Sequence, residues 1–269
     1  MTEGMEVFGL SAGHVASNPV IRDASAKLGS GRLGCMVGRN GVGKSTLLET
    51  IAGLRAPFAG RVRLDGVDPH AISAPVRAGL VGYLPQADVV PRGLSALDYV
   101  LLARRALQGP WPFDRDEDVA AAHAALEACC ADPLADRRLG AMSGGELQRV
   151  RLAQAMVGGA RFLLLDEPSS HLDPRHRIET FALLRGLVDR GITALVVTHD
   201  LDLATGCDAA WLIGADGALT SGSPDDVLTP EALGAAFGVP FQLATAEGRK
   251  PIPVPMGPTL RANARRREP

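Results

Sequence analysis

Lysine is nearly missing from this chain. Of its 28 basic residues only three are lysine (Lys27, Lys44 and Lys250), and the rest are arginine. Against that bias a retained lysine needs a local reason, and Lys44 has one. Long apolar runs are missing too. Stretches such as 162–165 and 194–197 fall far short of the roughly 20 residues a membrane helix needs, so any membrane role is expected to come through a partner. The N-terminus has no basic patch followed by an apolar region, so no secretory leader is expected. The four cysteines form no CxxC pair, and Cys129 and Cys130 are adjacent. That argues against a disulfide framework or zinc site and for a reducing compartment. With 28 basic against 30 acidic residues, the chain also lacks the charge excess for binding nucleic acid through bulk electrostatics.

What is present is an ordinary globular composition: 269 residues, 46% hydrophobic and 22% charged, enough for one large domain or two small ones. Short apolar runs alternate with helical patterns, which predicts an α/β fold. Strands are expected at 6–10, 20–28, 32–37, 60–64, 80–84, 162–165, 193–198 and 209–213. Helices are expected at 45–52 and 175–190. The middle third carries helical patterns (94–107, 119–131, 145–157) and no convincing strand, and reads as a helical subdomain of about residues 90–158. The linker at 109–112 lies inside it. The last 22 residues hold five prolines and a net charge of +5. They read as a C-terminal extension, disordered from about residue 248, either simply solvated or a basic tail for a lipid or partner.

The chemistry concentrates at Gly38-Arg39-Asn40-Gly41-Val42-Gly43-Lys44-Ser45, which fits G-x-x-x-x-G-K-[ST] between a strand and a helix. Glycines let successive N–H groups turn inward around a phosphate, and the helix N-terminus adds its positive dipole end. Lys44 then brings a compact charge to the outer phosphates, the Ser45 hydroxyl can ligate Mg²⁺, and Thr46 follows on the helix. A second strand, 162–165, runs into Asp166-Glu167-Pro168. An Asp there can hold a metal's hydration shell, and a Glu one residue on can polarise water. Alone, such an ending also reads as a solvated turn; beside a phosphate loop it reads as catalytic.

Met142-Ser143-Gly144-Gly145-Glu146-Leu147-Gln148-Arg149, about 20 residues before the Asp-Glu strand, resembles the signature motif of the ABC-type ATPases. Gln86 matches that family's Q-loop, Ser170-His171-Leu172-Asp173 its D-loop, and His199 its switch histidine. The resemblance spans residues 6 to about 235. It implies a P-loop NTPase core with an antiparallel β subdomain and an inserted helical subdomain, in a nucleotide-binding domain of residues 1–240. It also implies ATP with Mg²⁺, Ser45, Gln86 and Asp166 on the metal, and Glu167, His199 and Gln86 in catalysis. Ser143, Gly144, Gly145 and Glu146 would meet the γ-phosphate bound by a second copy, with Asp173 in the D-loop. Gln86 alone also reads as a surface glutamine, and His199 alone as a capping histidine. His14 stands where the family usually places an adenine-stacking aromatic; it reads equally as a plain loop histidine. Met142 replaces a usual Leu, and His171 a usual Ala.

The segment 220–241 resembles the end of importer ATPases serving iron-siderophore, haem and cobalamin uptake. The implied function is ATP hydrolysis in a homodimer, peripheral on the cytoplasmic face of the membrane. The implied partners are integral-membrane permease subunits and an extracytoplasmic substrate-binding protein, with no nucleic acid. The alternatives are a metal-ion importer ATPase and a non-transport ABC ATPase acting on ribosomes or DNA. A GTPase is disfavoured because no Asn-Lys-x-Asp motif is present.

Overall fold

A computed structural model describes residues 3–86, 89–108, 115–170, 172–245 and 250–257. The 109–112 linker and His171 lie outside the described residues. The chain opens with strands β1 (Gly4–Ala12), β2 (Ile21–Gly29) and β3 (Leu33–Gly38), then helix α1 (Lys44–Ile51), β4 (Ala59–Leu64), α2 (Ala74–Leu80) and β5 (Val81–Leu84). Three helices follow, α3 (Ala96–Gln108), α4 (Asp116–Ala128) and α5 (Gly144–Met156). The chain then returns through β6 (Phe162–Asp166), α6 (Pro174–Asp189), β7 (Thr193–Val197), α7 (Leu201–Thr205) and β8 (Ala209–Ile213). It ends with β9 (Leu219–Gly222), α8 (Pro224–Val227), α9 (Pro230–Phe237), β10 (Phe241–Ala244) and β11 (Ile252–Pro255).

Two sheets share the work. The larger has the order β5-β6-β7-β3-β8-β9 and is parallel except for β9, while β2-β1-β4 forms an antiparallel sheet. The apolar runs of β6 and β7 are buried at every residue, as expected of parallel strands covered on both faces. Leu163, Leu164 and Leu165 have no exposed surface, and each contributes about 1.5–3 kcal/mol of apolar burial. One core lies between the two sheets, where Leu47, Leu48 and Ile51 of α1 meet Met5, Val7 and Leu10 of β1. The other lies beneath α3, α4 and α5. Helix α1 is therefore clamped on two sides, which fixes the direction of the loop that precedes it.

The strand order matters more than the strands themselves. β7 lies between β3 and β6, with Met36 and Asp166 both paired to Val197. The carboxyl ends of β3, β7, β6 and β5 therefore sit side by side, where open α/β sheets bind ligands. Helix α2 escaped the periodicity reading because it is short and carries Pro75 and Gly79.

The expectation of disorder from about residue 248 fails for 252–255. Ile252–Pro255 pairs antiparallel with Phe241–Ala244, Pro253 is buried, and the Met256 N–H donates to the Pro240 carbonyl at 2.8 Å. Proline-rich composition disfavours a core but permits a two-stranded ribbon against existing structure; β11 packs on α7.

Candidate nucleotide site

The loop between β3 and α1 is built around positive backbone φ angles. Gly41 has φ 78° and Gly43 φ 109°, a region costly for any side chain with a Cβ. Gly43 also has no room, because a Cβ there would lie 3.0 Å from the side chains of Val20 and Ile21. No side chain caps the N-terminus of α1, so its first N–H groups point unsatisfied at whatever enters the loop. Lys44 Nζ donates to the carbonyls of Gly38 and Arg39, both at 2.9 Å. Burial holds the Lys44 pKa below its usual value, and the carboxylates of Glu167 and Asp166 partly restore it.

Asp166, at the end of β6, is 4% exposed. Burial holds its carboxyl above the usual range, against the nearby Ser45 side chain, which works the other way. Glu167 is one residue further on, with φ 48°, a left-handed conformation that costs a non-glycine residue about 1–2 kcal/mol. Its N–H donates to the Val197 carbonyl at 3.1 Å, so the turn is held by the neighbouring strand. The strain aims the side chain across the strand ends. His199 Nε2 donates to Glu167 Oε1 at 2.6 Å, and Gln86 Nε2 donates to Glu167 Oε2 at 2.8 Å. Two residues far apart in sequence, following β5 and β7, thus converge on the one carboxylate that follows β6.

Glu167 and Gln86 line a cavity of about 510 Å³ together with Lys44, Ser45, Thr46 and His14. Asn40, Gly41 and Gly43 close its base, whereas Gly38, Arg39 and Val42 shape the loop without lining the cavity. His14 is exposed on the rim, with Nδ1 3.5 Å from the Arg55 guanidinium. Arg55, paired to Glu49 at 2.8 Å, and Val20, which also lines the cavity, were not singled out from the sequence. Neither sits in a motif, so spacing carried no signal for them.

The signature segment is elsewhere. Ser143, Gly144, Gly145 and Glu146 line neither this cavity nor the smaller one beside His199. Ser143 caps α5: its Oγ accepts from the Glu146 N–H at 3.3 Å, while Glu146 Oε2 accepts from the Ser143 N–H at 2.8 Å. Arg137 Nη1 meets Glu146 Oε1 at 2.6 Å. The backbone N–H of Ser143, with help from Arg137, holds the Glu146 carboxyl below its usual pKa. Glu146 therefore serves the helix end rather than reaching outward for an anion, which a second carboxylate would repel. Asp173 caps α6 through His176 N at 2.9 Å.

A glycine-lined loop on an uncapped helix, a buried lysine, and an Asp-Glu pair at the end of a strand one removed in the sheet define a P-loop nucleotide-binding protein. Residues 21–170 match the family model described as ABC transporter. Over 229 residues the chain is 40% identical to the "Hemin import ATP-binding protein HmuV" of Pseudomonas entomophila, covering 83% of this chain and 88% of that one. It is 36% identical to the "Cobalamin import ATP-binding protein BtuD" of Halobacterium salinarum, covering 90% of this chain and 60% of that one. Its fold is similar to the solved structure described as "An inward-facing conformation of a putative metal-chelate type ABC transporter", with TM-score 0.82, 26% identity and coverage of 96% of this chain and 99% of the other. The chain belongs to the ABC transporter family and is one of its ATPases.

Proposed function

We propose that this chain is the ATP-hydrolysing subunit of an importer for haem, cobalamin or an iron-siderophore, working as a homodimer on the cytoplasmic face of the membrane. Permease subunits, with an extracytoplasmic substrate-binding protein, complete the assembly. The observation that carries the catalytic part is Glu167, clamped between Gln86 and His199 at the mouth of the cavity that holds Lys44 and Ser45. Glu167 is placed to accept a proton from an attacking water, and His199 holds its carboxylate in that orientation. Lys44 exchanges its loop carbonyls for phosphate oxygens, and the uncapped N–H groups of α1 complete the cradle. Ser45 lies near enough to Asp166 to lower the pKa of its carboxyl. With the amide oxygen of Gln86 they form an all-oxygen set suited to a hard cation. Mg²⁺, when bound there, neutralises charge between the outer phosphates.

The importer part is supported by the relatives and by a groove of about 590 Å³ between α2, β5 and α5. Leu54, 56% exposed, and Pro75, Ala78, Ala103 and Ala155 give it an apolar lining, of the kind that receives a partner helix. Tyr83 lines it from β5, the strand that ends two residues before Gln86. A permease segment seated here would push on the residue that touches Glu167. No helix among the described residues is long and apolar enough to cross a membrane, so the reading needs such a partner. Affinity purification from solubilised membranes is expected to recover a membrane-spanning subunit, and Leu54→Asp to cut its yield about tenfold while ATP binding persists. Recovery of ribosomes or DNA in place of a membrane subunit would overturn the importer reading.

A further inference from the structure

The signature turn contains two glycines, and backbone conformation does not explain either. Neither Gly144 nor Gly145 is among the glycines with positive φ, so an alanine could adopt the same angles. Space explains both. A Cβ on Gly144 would lie 3.1 Å from Leu172 Cδ2. A Cβ on Gly145 would overlap His176 Cδ2, and would lie 2.8 Å from Cγ and 2.9 Å from Nε2 of the same ring. The imidazole is stacked on the bare α-carbon of Gly145.

That ring is not free to retreat. Asp173 Oδ2 accepts from His176 Nδ1 at 2.7 Å, while its other oxygen accepts from the His176 N–H at 2.9 Å. One carboxylate therefore caps α6 and fixes the imidazole. One turn on, Thr180 Oγ1 donates to the His176 carbonyl at 2.8 Å, and Glu179 bridges Arg175 of α6 (2.8 Å) to Arg149 of α5 (3.9 Å). The start of α6 and the start of α5 are thus joined at the points where each presents a motif.

We propose that His176 is a positioning residue: held by Asp173 and seated on Gly145, it sets the orientation in which the signature turn meets the nucleotide of a second copy of this chain. This rests on the reading that Ser143, Gly144 and Gly145 complete the partner's site. The D-loop segment 172–176 and the signature turn then move as one body, so closure at one is felt at the other. His176 touches neither cavity around Glu167 and acts only through Gly145. Glycine at 145 is demanded by the ring behind it, in addition to whatever the phosphate in front requires.

The test is a double-mutant cycle on the full chain, reading kcat and KM for ATP, with ATP binding and circular dichroism as fold controls. Gly145→Ala is expected to lower kcat at least about thirtyfold. Adding His176→Ala removes the clash, and the double variant is expected to regain about fivefold over Gly145→Ala, close to the level of His176→Ala alone. His176→Ala alone is expected to lower kcat about fivefold with KM changed less than about twofold, because only presentation to the partner is lost. His176→Asn, whose amide reaches Asp173 in place of Nδ1, is expected to recover most of that loss. A double variant no better than Gly145→Ala overturns the role of His176 and leaves the signature reading standing. Gly145→Ala with undiminished turnover overturns both. Should Gly145→Ala fail to fold, the His176 pair decides: equal losses in the Ala and Asn variants, or a KM that rises in step, overturn the proposal.

Discussion

Helices α1 and α5 both begin at glycine-rich turns, yet their N-termini are finished in opposite ways. α1 starts from a left-handed Gly43 with no side-chain cap and a buried lysine in its first turn. α5 starts from Ser143 in a reciprocal capping box with Glu146, on the surface and away from the cavity. An uncapped N-terminus leaves its donors for a ligand. A capped one has two of its donors satisfied internally and is stable without a ligand. The first is a receptor that stays unfinished until phosphate arrives. The second holds its shape through its own capping box, without a ligand. On the proposed reading, that difference is what would let two copies share each site.

The comparison breaks most sharply at the receptor end. Glu167→Gln keeps shape and hydrogen-bonding reach but cannot take a proton, so kcat is expected to fall about 10²–10⁴-fold with ATP affinity retained. Turnover within tenfold of wild type, measured by phosphate release, would remove Glu167 from the role of base. Lys44→Ala removes the buried charge, and ATP affinity is expected to drop by about 10–100-fold, checked by titration with a fluorescent ATP analogue.

The two ends are separated by mixing variants. Lys44→Ala damages a receptor and Ser143→Ala a presented face, so each homodimer is expected to turn over slowly. A mixed dimer pairs one intact receptor with one intact face, and about half of wild-type activity per mixed dimer is expected from the one whole site. No recovery on mixing, with dimers shown to form, would mean that each chain works alone. Ser143→Ala also loses an N-cap, at about 1 kcal/mol, so its melting temperature should be followed in parallel.

The sequence showed the receptor more fully than the face. The 38–45 loop, the strand ending in Asp166 and the helix at Lys44 are local features, carried by spacing and by long apolar runs. What spacing could not show is that β7 lies between β3 and β6. That order is set by pairing between strands distant in sequence, and it is what brings His199 to Glu167. At the presented face the motif was visible but its physics was not. Glu146 stood among the presumed anion contacts because the motif includes it, whereas its carboxylate is occupied by Ser143 and Arg137. Arg55 beside His14 and His176 behind Gly145 belong to no pattern; both positions arise from packing between elements distant in sequence. The pairing of 241–244 with 252–255 was hidden by composition, since prolines and arginines suggest solvation and do not reveal an existing surface to pair against.

Smaller effects sharpen the contrast at the rim. His14 shares the cavity edge with Arg55, and if the imidazole stacks on the base then His14→Ala is expected to raise KM for ATP about three- to fivefold with kcat nearly constant. An unchanged KM would leave His14 as an ordinary loop residue. Arg55 then becomes the group to test.

The least effect, and the most diagnostic in sign, is on stability. Burial raises the folded-state pKa of Asp166, so its ionised form costs stability once pH exceeds that pKa. Below the unfolded value of about 3.9 both states are protonated and the cost is gone. Asp166→Asn is therefore expected to raise the melting temperature of the nucleotide-free protein by about 2–4 °C at neutral pH. The gain should shrink as pH falls through the folded pKa, and metal-dependent turnover should be lost. Glu146 runs the other way. Its folded pKa is lowered by the cap it makes, so it contributes stability above its unfolded pKa that is lost as pH falls through the folded one. Glu146→Ala should then lower the melting temperature at neutral pH and matter little in acid. Opposite signs at two carboxylates are what a strained receptor and a finished face require, and equal signs in the two pH series would erase the distinction between them.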